Sequence, residues 1–155
     1  MASKVIGKRI REVAKLVDLT RCTGCRACQV ACKSWNRNPA EKTEFFQGPG
    51  YQNPADLSAD TWCIVKFREE EREGTGVNFT FQHYACMHCH DAECVKACPV
   101  NPKARLYHPM GFTYTKWDLC IGCGMCAVRC PYKACFIKNN EKGQRKAYKC
   151  WFCFD

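Results

Sequence analysis

Between Cys120 and Pro131 the chain reads Cys-Ile-Gly-Cys-Gly-Met-Cys-Ala-Val-Arg-Cys-Pro, which puts four thiols and a proline into twelve residues. Few structures can use that spacing. A disulfide joins residues far apart in sequence and close in space, and thiols packed this tightly are poorly placed for it. A tetrahedral zinc site takes two Cys-x-x-Cys knuckles, so a third cysteine at the same step is surplus. A cubane iron–sulfur cluster is different. One tight loop wraps a corner of the cube and gives three thiolates, and the fourth comes from elsewhere in the chain.

The run C-x2-C-x2-C-x3-C-P is the bacterial ferredoxin spacing, in which the fourth cysteine serves the other cluster of a pair. Gly122 and Gly124 suit a backbone that must curl close to a cluster. Pro131 is expected to stop a short helix carrying Cys130. A second run, Cys86-Met-His-Cys89-His-Asp-Ala-Glu-Cys94-Val-Lys-Ala-Cys98-Pro99, widens the third step and keeps the closing Cys-Pro. The two runs complement each other. The crossing rule assigns Cys86, Cys89, Cys94 and Cys130 to one [4Fe-4S] cluster, and Cys120, Cys123, Cys126 and Cys98 to its neighbour.

Another run precedes these: Cys22-Thr-Gly-Cys25-Arg-Ala-Cys28-Gln-Val-Ala-Cys32, with Lys33 in the proline position. A last one begins at Cys150-Trp-Phe-Cys153. The same rule groups Cys32 with Cys150 and Cys153 as a third set, and Cys22, Cys25 and Cys28 as a fourth, each one ligand short. A lone redox or zinc-binding Cys-x-x-Cys is the competing reading of Cys150 and Cys153. Two of the sixteen cysteines, Cys63 and Cys135, fall outside the runs and read as packed free thiols. His88 and His90 flank Cys89, where the loop already has its thiols, so surface or supporting roles are expected for them.

The chain repeats itself. An aspartate, Asp18 or Asp118, precedes each of the two Cys-x-Gly-Cys-x-x-Cys loops. The expected fold is α+β and ferredoxin-like: duplicated two-cluster modules with short hairpins and short helices. Residues 1–35 form a first ferredoxin-type half, 36–82 an insertion with a hairpin, 83–135 a complete two-cluster module, and 136–155 the start of an incomplete fourth run. A strand is expected over 13–19 and a helix over 26–35. Hairpins are expected from 65–68 with 77–82, 105–107 with 111–115, and 136–138 with 147–149. The 69–73 charge run reads as the solvated end of the first hairpin, and 47–53 as a surface loop.

A formal charge of +9 invites a nucleic-acid reading. Clusters weaken it, because each [4Fe-4S] core with four thiolates carries about −2, and four would offset about eight charges. Nucleic-acid binding is therefore not expected. No Ser/His/Asp set, carboxylate pair or phosphate loop offers substrate chemistry, so a non-catalytic role is expected. No apolar run approaches the roughly 20 residues that span a bilayer. The basic start (Lys4, Lys8, Arg9, Arg11) is followed by no signal-peptide core.

Four such runs in this order resemble the electron-transfer (beta) subunits of molybdopterin oxidoreductases. Glu12-Val-Ala-Lys-Leu-Val-Asp18, Cys28-Gln-Val-Ala-Cys32, Asn53-Pro-Ala-Asp-Leu-Ser-Ala59 and Cys86-Met-His-Cys89 are similar to the membrane-associated formate dehydrogenase iron–sulfur subunit. The resemblance implies four [4Fe-4S] clusters in the full-length protein, two of them fully ligated by this chain. It implies a molybdenum- or tungsten-pterin catalytic subunit as partner, and a membrane cytochrome b or quinone-reactive subunit, or a soluble carrier, as acceptor. It also implies a membrane-associated complex, on the periplasmic side by preference, and two further cysteines beyond Cys153, so that this sequence is a truncated piece. Alternatives are the equivalent subunit of a dimethyl sulfoxide or polysulfide reductase, or a free polyferredoxin. The long 36–82 insertion favours a subunit that docks on a large partner.

Overall fold

The computed structural model describes residues 12–44, 51–74 and 76–154. The basic start and residues 47–50 of the expected surface loop lie outside the described residues. The elements are α1 (Ala27–Trp35), β1 (Cys63–Arg72), β2 (Gly76–Ala85), α2 (Glu93–Lys96), β3 (Arg105–Tyr107), β4 (Thr113–Thr115), a 3-10 turn (Trp117–Leu119), α3 (Met125–Val128), β5 (Phe136–Asn139) and β6 (Arg145–Tyr148). The strands pair as antiparallel hairpins β1–β2, β3–β4 and β5–β6. The result is a small mixed helix and strand fold.

All three hairpins fall where turn residues separate short apolar-polar alternations. β1 and β2 run longer than the alternation alone predicts, from the Cys63–Ala85 pair out to Arg72–Gly76. The charge run at 69–73 is exposed, as expected, but most of it stays in the ladder. Ladder hydrogen bonds need only backbone, and Glu69 pairs with Phe79 on the partner strand. The core is small and shares its volume with sulfur. Leu57, Ile64 and Ala134 pack with Cys86 and Cys130. Cys126, Cys135 and Ala147 pack with Cys94 and Cys120.

Two expectations fail. Residues 13–19 do not form a strand; among the described residues their backbone has no partner strand, and Val13 N–H donates to the Met110 carbonyl at 3.0 Å. The chain then turns at Asp18, whose carboxylate accepts from Thr20 N–H and Oγ1–H at 2.9 and 2.6 Å. The second is the helix expected to carry Cys130, which ends earlier, at Val128. Cys130 precedes a proline, and that position disfavours helical backbone.

Two devices aim the loops. α1 and α3 start alike, one residue after a left-handed residue: Arg26 (φ 62°) in one and Gly124 (φ 87°) in the other. Arg26 tolerates that conformation while its guanidinium donates to the Tyr51 carbonyl and stacks 4.8 Å from the Phe67 ring. Lys33 replaces the expected proline with a tether. Its ammonium reaches Glu41, the Asp60 carbonyl and Thr61 Oγ1 at 3.3, 3.2 and 2.9 Å, so Glu41 and residues 60–61 are clasped to α1.

Gly122 is the most tightly constrained glycine among the described residues. Its φ is +67°, and a Cβ there would lie 2.4 Å from the Arg145 carbonyl oxygen of β6. Gly122→Ala is expected to destabilise the fold by about 3 kcal/mol, adding left-handed strain to a backbone clash. Thermal melting of the cluster-loaded chain checks this, and an unchanged midpoint would contradict it.

Candidate metal centre

A small pocket is lined by Cys98, Cys120, Cys123 and Cys126, together with Arg105, Gly122 and Gly124. The second-run helix α2 ends just before Cys98, and α3 carries Cys126. Burial opposes ionisation of Cys98, but the backbone N–H groups of Arg105, Val100 and Ala104 outweigh it and hold the thiol below its ordinary range. That is the environment of a thiolate. Cys126 is drawn the same way, by the Cys135 thiol at 3.4 Å and the Arg105 guanidinium at 3.3 Å, against the effect of burial. Cys135 is driven up in turn, because it donates to Cys126 and is buried.

A second small pocket is lined by Cys86, Cys89, Cys94 and Cys130, with Pro131 and Ala134. His88 N–H points at Cys86 Sγ (3.5 Å) and Ala134 N–H at Cys130 Sγ (3.4 Å). Here burial, reinforced by neighbouring sulfur, raises the Cys89 thiol.

Cys32 and Cys153 flank Asn36, and Cys150 lies close enough to Cys32 to act on its thiol. Asn36 Nδ2 is 3.7 Å from both Cys32 Sγ and Cys153 Sγ, and its Oδ1 accepts from Trp151 Nε1 at 2.7 Å. Burial, then the nearby Cys150 and Cys153 sulfurs, push Cys32 up to about 12. Burial raises the Cys150 thiol too, so Cys32 and Cys150 resist ionisation together unless a cation is added.

Cys22, Cys25 and Cys28 occupy the loop before α1 and its first turn, and Cys25 and Cys28 are exposed. Cys28 has company that the spacing did not reveal. Its sulfur, Cys63 Sγ at the start of β1 and a His83 ring nitrogen on β2 lie within 4.8 Å of one another. Cys63 is buried as expected, and burial followed by Cys28 raises its thiol. His83 pairs with Val65 across the hairpin, so the ladder itself sets this approach.

Two buried cations complete the picture. Arg105, 2% exposed, aims Nη2 at Cys126 Sγ and Cys135 Sγ (3.3 and 2.7 Å), and its Nε has no partner among the described residues. Lys149, 4% exposed, places Nζ 3.3 Å from Cys86 Sγ. Neither forms an ion pair with a carboxylate among the described residues. Buried charges need counter-charge. Thiolates around an anionic iron–sulfur core supply it, so the donors and the charges both fit such a group. The cysteine spacing carries no signal for Arg105, and for Lys149 only its place beside Cys150.

Comparison with known proteins agrees with this chemistry. Two family models, each described as a 4Fe-4S binding domain, match residues 113–136, and residues 19–35 with 83–101. The nitrate-inducible formate dehydrogenase iron–sulfur subunit of Escherichia coli (strain K12) is 40% identical over 144 residues, 93% of this chain and 47% of that protein. The formate dehydrogenase iron–sulfur subunit of Haemophilus influenzae is 38% identical over 93% of this chain and 44% of its own length. A sulfite dehydrogenase subunit of Allochromatium vinosum is 33% identical over 93% of this chain and 57% of its own length. The chain thus spans about half the length of these curated relatives. It contains 4Fe-4S binding domains and, over nearly all of its length, is a homologue of formate dehydrogenase iron–sulfur subunits.

Proposed function

We propose that this chain is the electron-transfer part of a formate dehydrogenase complex and ligates four [4Fe-4S] clusters in two duplicated ferredoxin-type modules. One module is the complete 83–135 unit. The other joins the 1–35 half to the 136–155 run, with 36–82 as the insertion between. Within them Cys86, Cys89, Cys94 and Cys130 hold one cluster, and Cys98, Cys120, Cys123 and Cys126 its neighbour. Cys32, Cys150 and Cys153 contribute to a third, and Cys22, Cys25 and Cys28 to a fourth. The observation that carries the reading is the lining of the two pockets: each gathers four cysteines, three from one run and the last from the other.

A bound [4Fe-4S] cluster supplies one-electron chemistry. The chain's residues do the rest. Thiolates fix each cluster, backbone N–H groups and buried cations offset its charge, and the small apolar core limits water around it. The partner in this reading is a molybdenum- or tungsten-pterin catalytic subunit that oxidises formate. Its two electrons pass singly through this chain to a membrane cytochrome b or quinone-reactive subunit. The complex is membrane-associated and faces the periplasm; among the described residues no helix is long and apolar enough to cross a membrane. No catalytic residue and no nucleic-acid partner is assigned to the chain.

A second reading is the same role in another oxidoreductase. The sulfite dehydrogenase relative, and a putative dimethyl sulfoxide reductase iron–sulfur subunit of Halobacterium salinarum that is 31% identical, favour it. Purification from the source without oxygen separates the two readings. Co-purification with a formate-oxidising subunit is expected; a sulfite- or sulfoxide-active partner would favour the second. In either case iron and inorganic sulfide are expected in equal amounts, and stoichiometric zinc with negligible sulfide would refute both.

A further inference from the structure

Lys149 and His88 stand where two of the assigned cysteine sets meet, and they touch both. The Lys149 ammonium has three protons. Its acceptors are the Thr113 carbonyl at 2.7 Å, the Cys150 carbonyl at 2.9 Å and Cys86 Sγ at 3.3 Å. Two carbonyls therefore orient the ammonium, and the third direction ends on sulfur. His88 continues the contact. Its Nδ1 faces two donors, the Thr113 N–H at 3.3 Å and Lys149 Nζ at 3.5 Å. A nitrogen facing only donors carries no proton, which fixes the neutral ring with its proton on Nε2. Nε2–H lies 3.4 Å from Cys150 Sγ and donates to it. Phe112 and Phe152, ring centroids 6.1 and 5.0 Å away, hold the imidazole edge-on.

We propose that Lys149 and His88 are positioning residues shared by two clusters, one bound through Cys86 and the other through Cys150, and that together they raise the reduction potentials of both. The proposal rests on the ligand reading given above. A cluster that gains an electron becomes more negative. A buried ammonium beside its thiolate stabilises that state, and an N–H donated to sulfur acts the same way. Water screens little at a residue only 4% exposed, so the charge acts at close to full strength. Arg105 is the internal contrast: its sulfur hydrogen bonds among the described residues go to Cys126 and Cys135, its charge also reaches Cys94, and none of these belongs to the Cys150 set.

The test is an anaerobic redox titration of the full-length holoprotein, followed by paramagnetic resonance, on Lys149→Met, Lys149→Arg, His88→Phe and Arg105→Met. Lys149→Met is expected to move two cluster signals to more negative potential and leave the others in place. His88→Phe should move only the Cys150-site signal, Arg105→Met should move the Cys126-site signal most and leave the Cys150-site signal in place, and Lys149→Arg should restore most of the Lys149→Met shift. A Lys149→Met protein with full iron in which fewer than two signals move would overturn the proposal. Should that variant lose iron, His88→Phe decides, and an unmoved Cys150-site potential overturns it. Failure of the ligand reading looks different: Cys86→Ser and Cys150→Ser would then not abolish two separate signals, whatever the potentials do.

Discussion

Cys98→Ser is expected to damage the cluster held by Cys120, Cys123 and Cys126 and to spare the one beside it in sequence. Cys98 closes the second run, yet it lines the pocket of the third-run cysteines. The backbone N–H groups of Val100, Ala104 and Arg105 converge on its sulfur and hold the thiol below its ordinary range. Serine keeps the size and loses the soft, low-pKa ligand, so one corner of that cube is left without its thiolate. The expected loss is about one to four irons of the roughly eight in the two middle clusters, with a three-iron signal in place of the cubane signal. The signal assigned to Cys86, Cys89, Cys94 and Cys130 should persist, because their pocket does not include Cys98. Iron per chain and paramagnetic resonance read this together. If the Cys86 cluster is the one altered, the crossed pairing is wrong.

What the sequence made legible follows from how local each determinant is. Cysteine spacing acts over three or four residues, and a hairpin is written in its alternation and turn, so the runs and all three hairpins could be located from the order of residues alone. Charge compensation is different in kind. Arg105 reads as one more basic residue at the start of a strand, and only the fold brings it to Cys126, which is 21 residues away. Lys149 reaches Cys86 across 63 residues. Cys63 looked isolated because its neighbours, Cys28 and His83, come from α1 and from the far strand of a ten-residue ladder. The strand over 13–19 failed for the complementary reason. Its apolar residues were visible, but a strand needs a partner, and among the described residues this segment has one backbone bond to Met110. The runs also differ in ways that repetition hid, since Lys33 tethers α1 to the insertion where the other complete runs carry a proline.

The uneven supply of thiolates sets the second large effect. In this chain the two pockets each hold four cysteines, whereas the set around Asn36 holds three, as does the loop at Cys22, Cys25 and Cys28. Metal binding is coupled to folding, and a cluster with an open corner is easily stripped or oxidised. The 155-residue chain expressed alone and reconstituted without oxygen should therefore hold about eight irons firmly, four for each fully ligated cubane. Brief exposure to a chelator should remove or convert the remaining iron and leave those eight. Limited proteolysis should then cut near the Cys22–Cys28 loop, which is largely exposed, sooner than between Cys86 and Cys130, where the cysteines pack into the core. Four cubanes that survive the chelator in this chain, with no partner present, would mean that donors within it complete both outer sets. Cys63, beside Cys28, would be the first to replace with serine. Retention of fewer than four irons would instead undermine the assignment of the two pockets themselves.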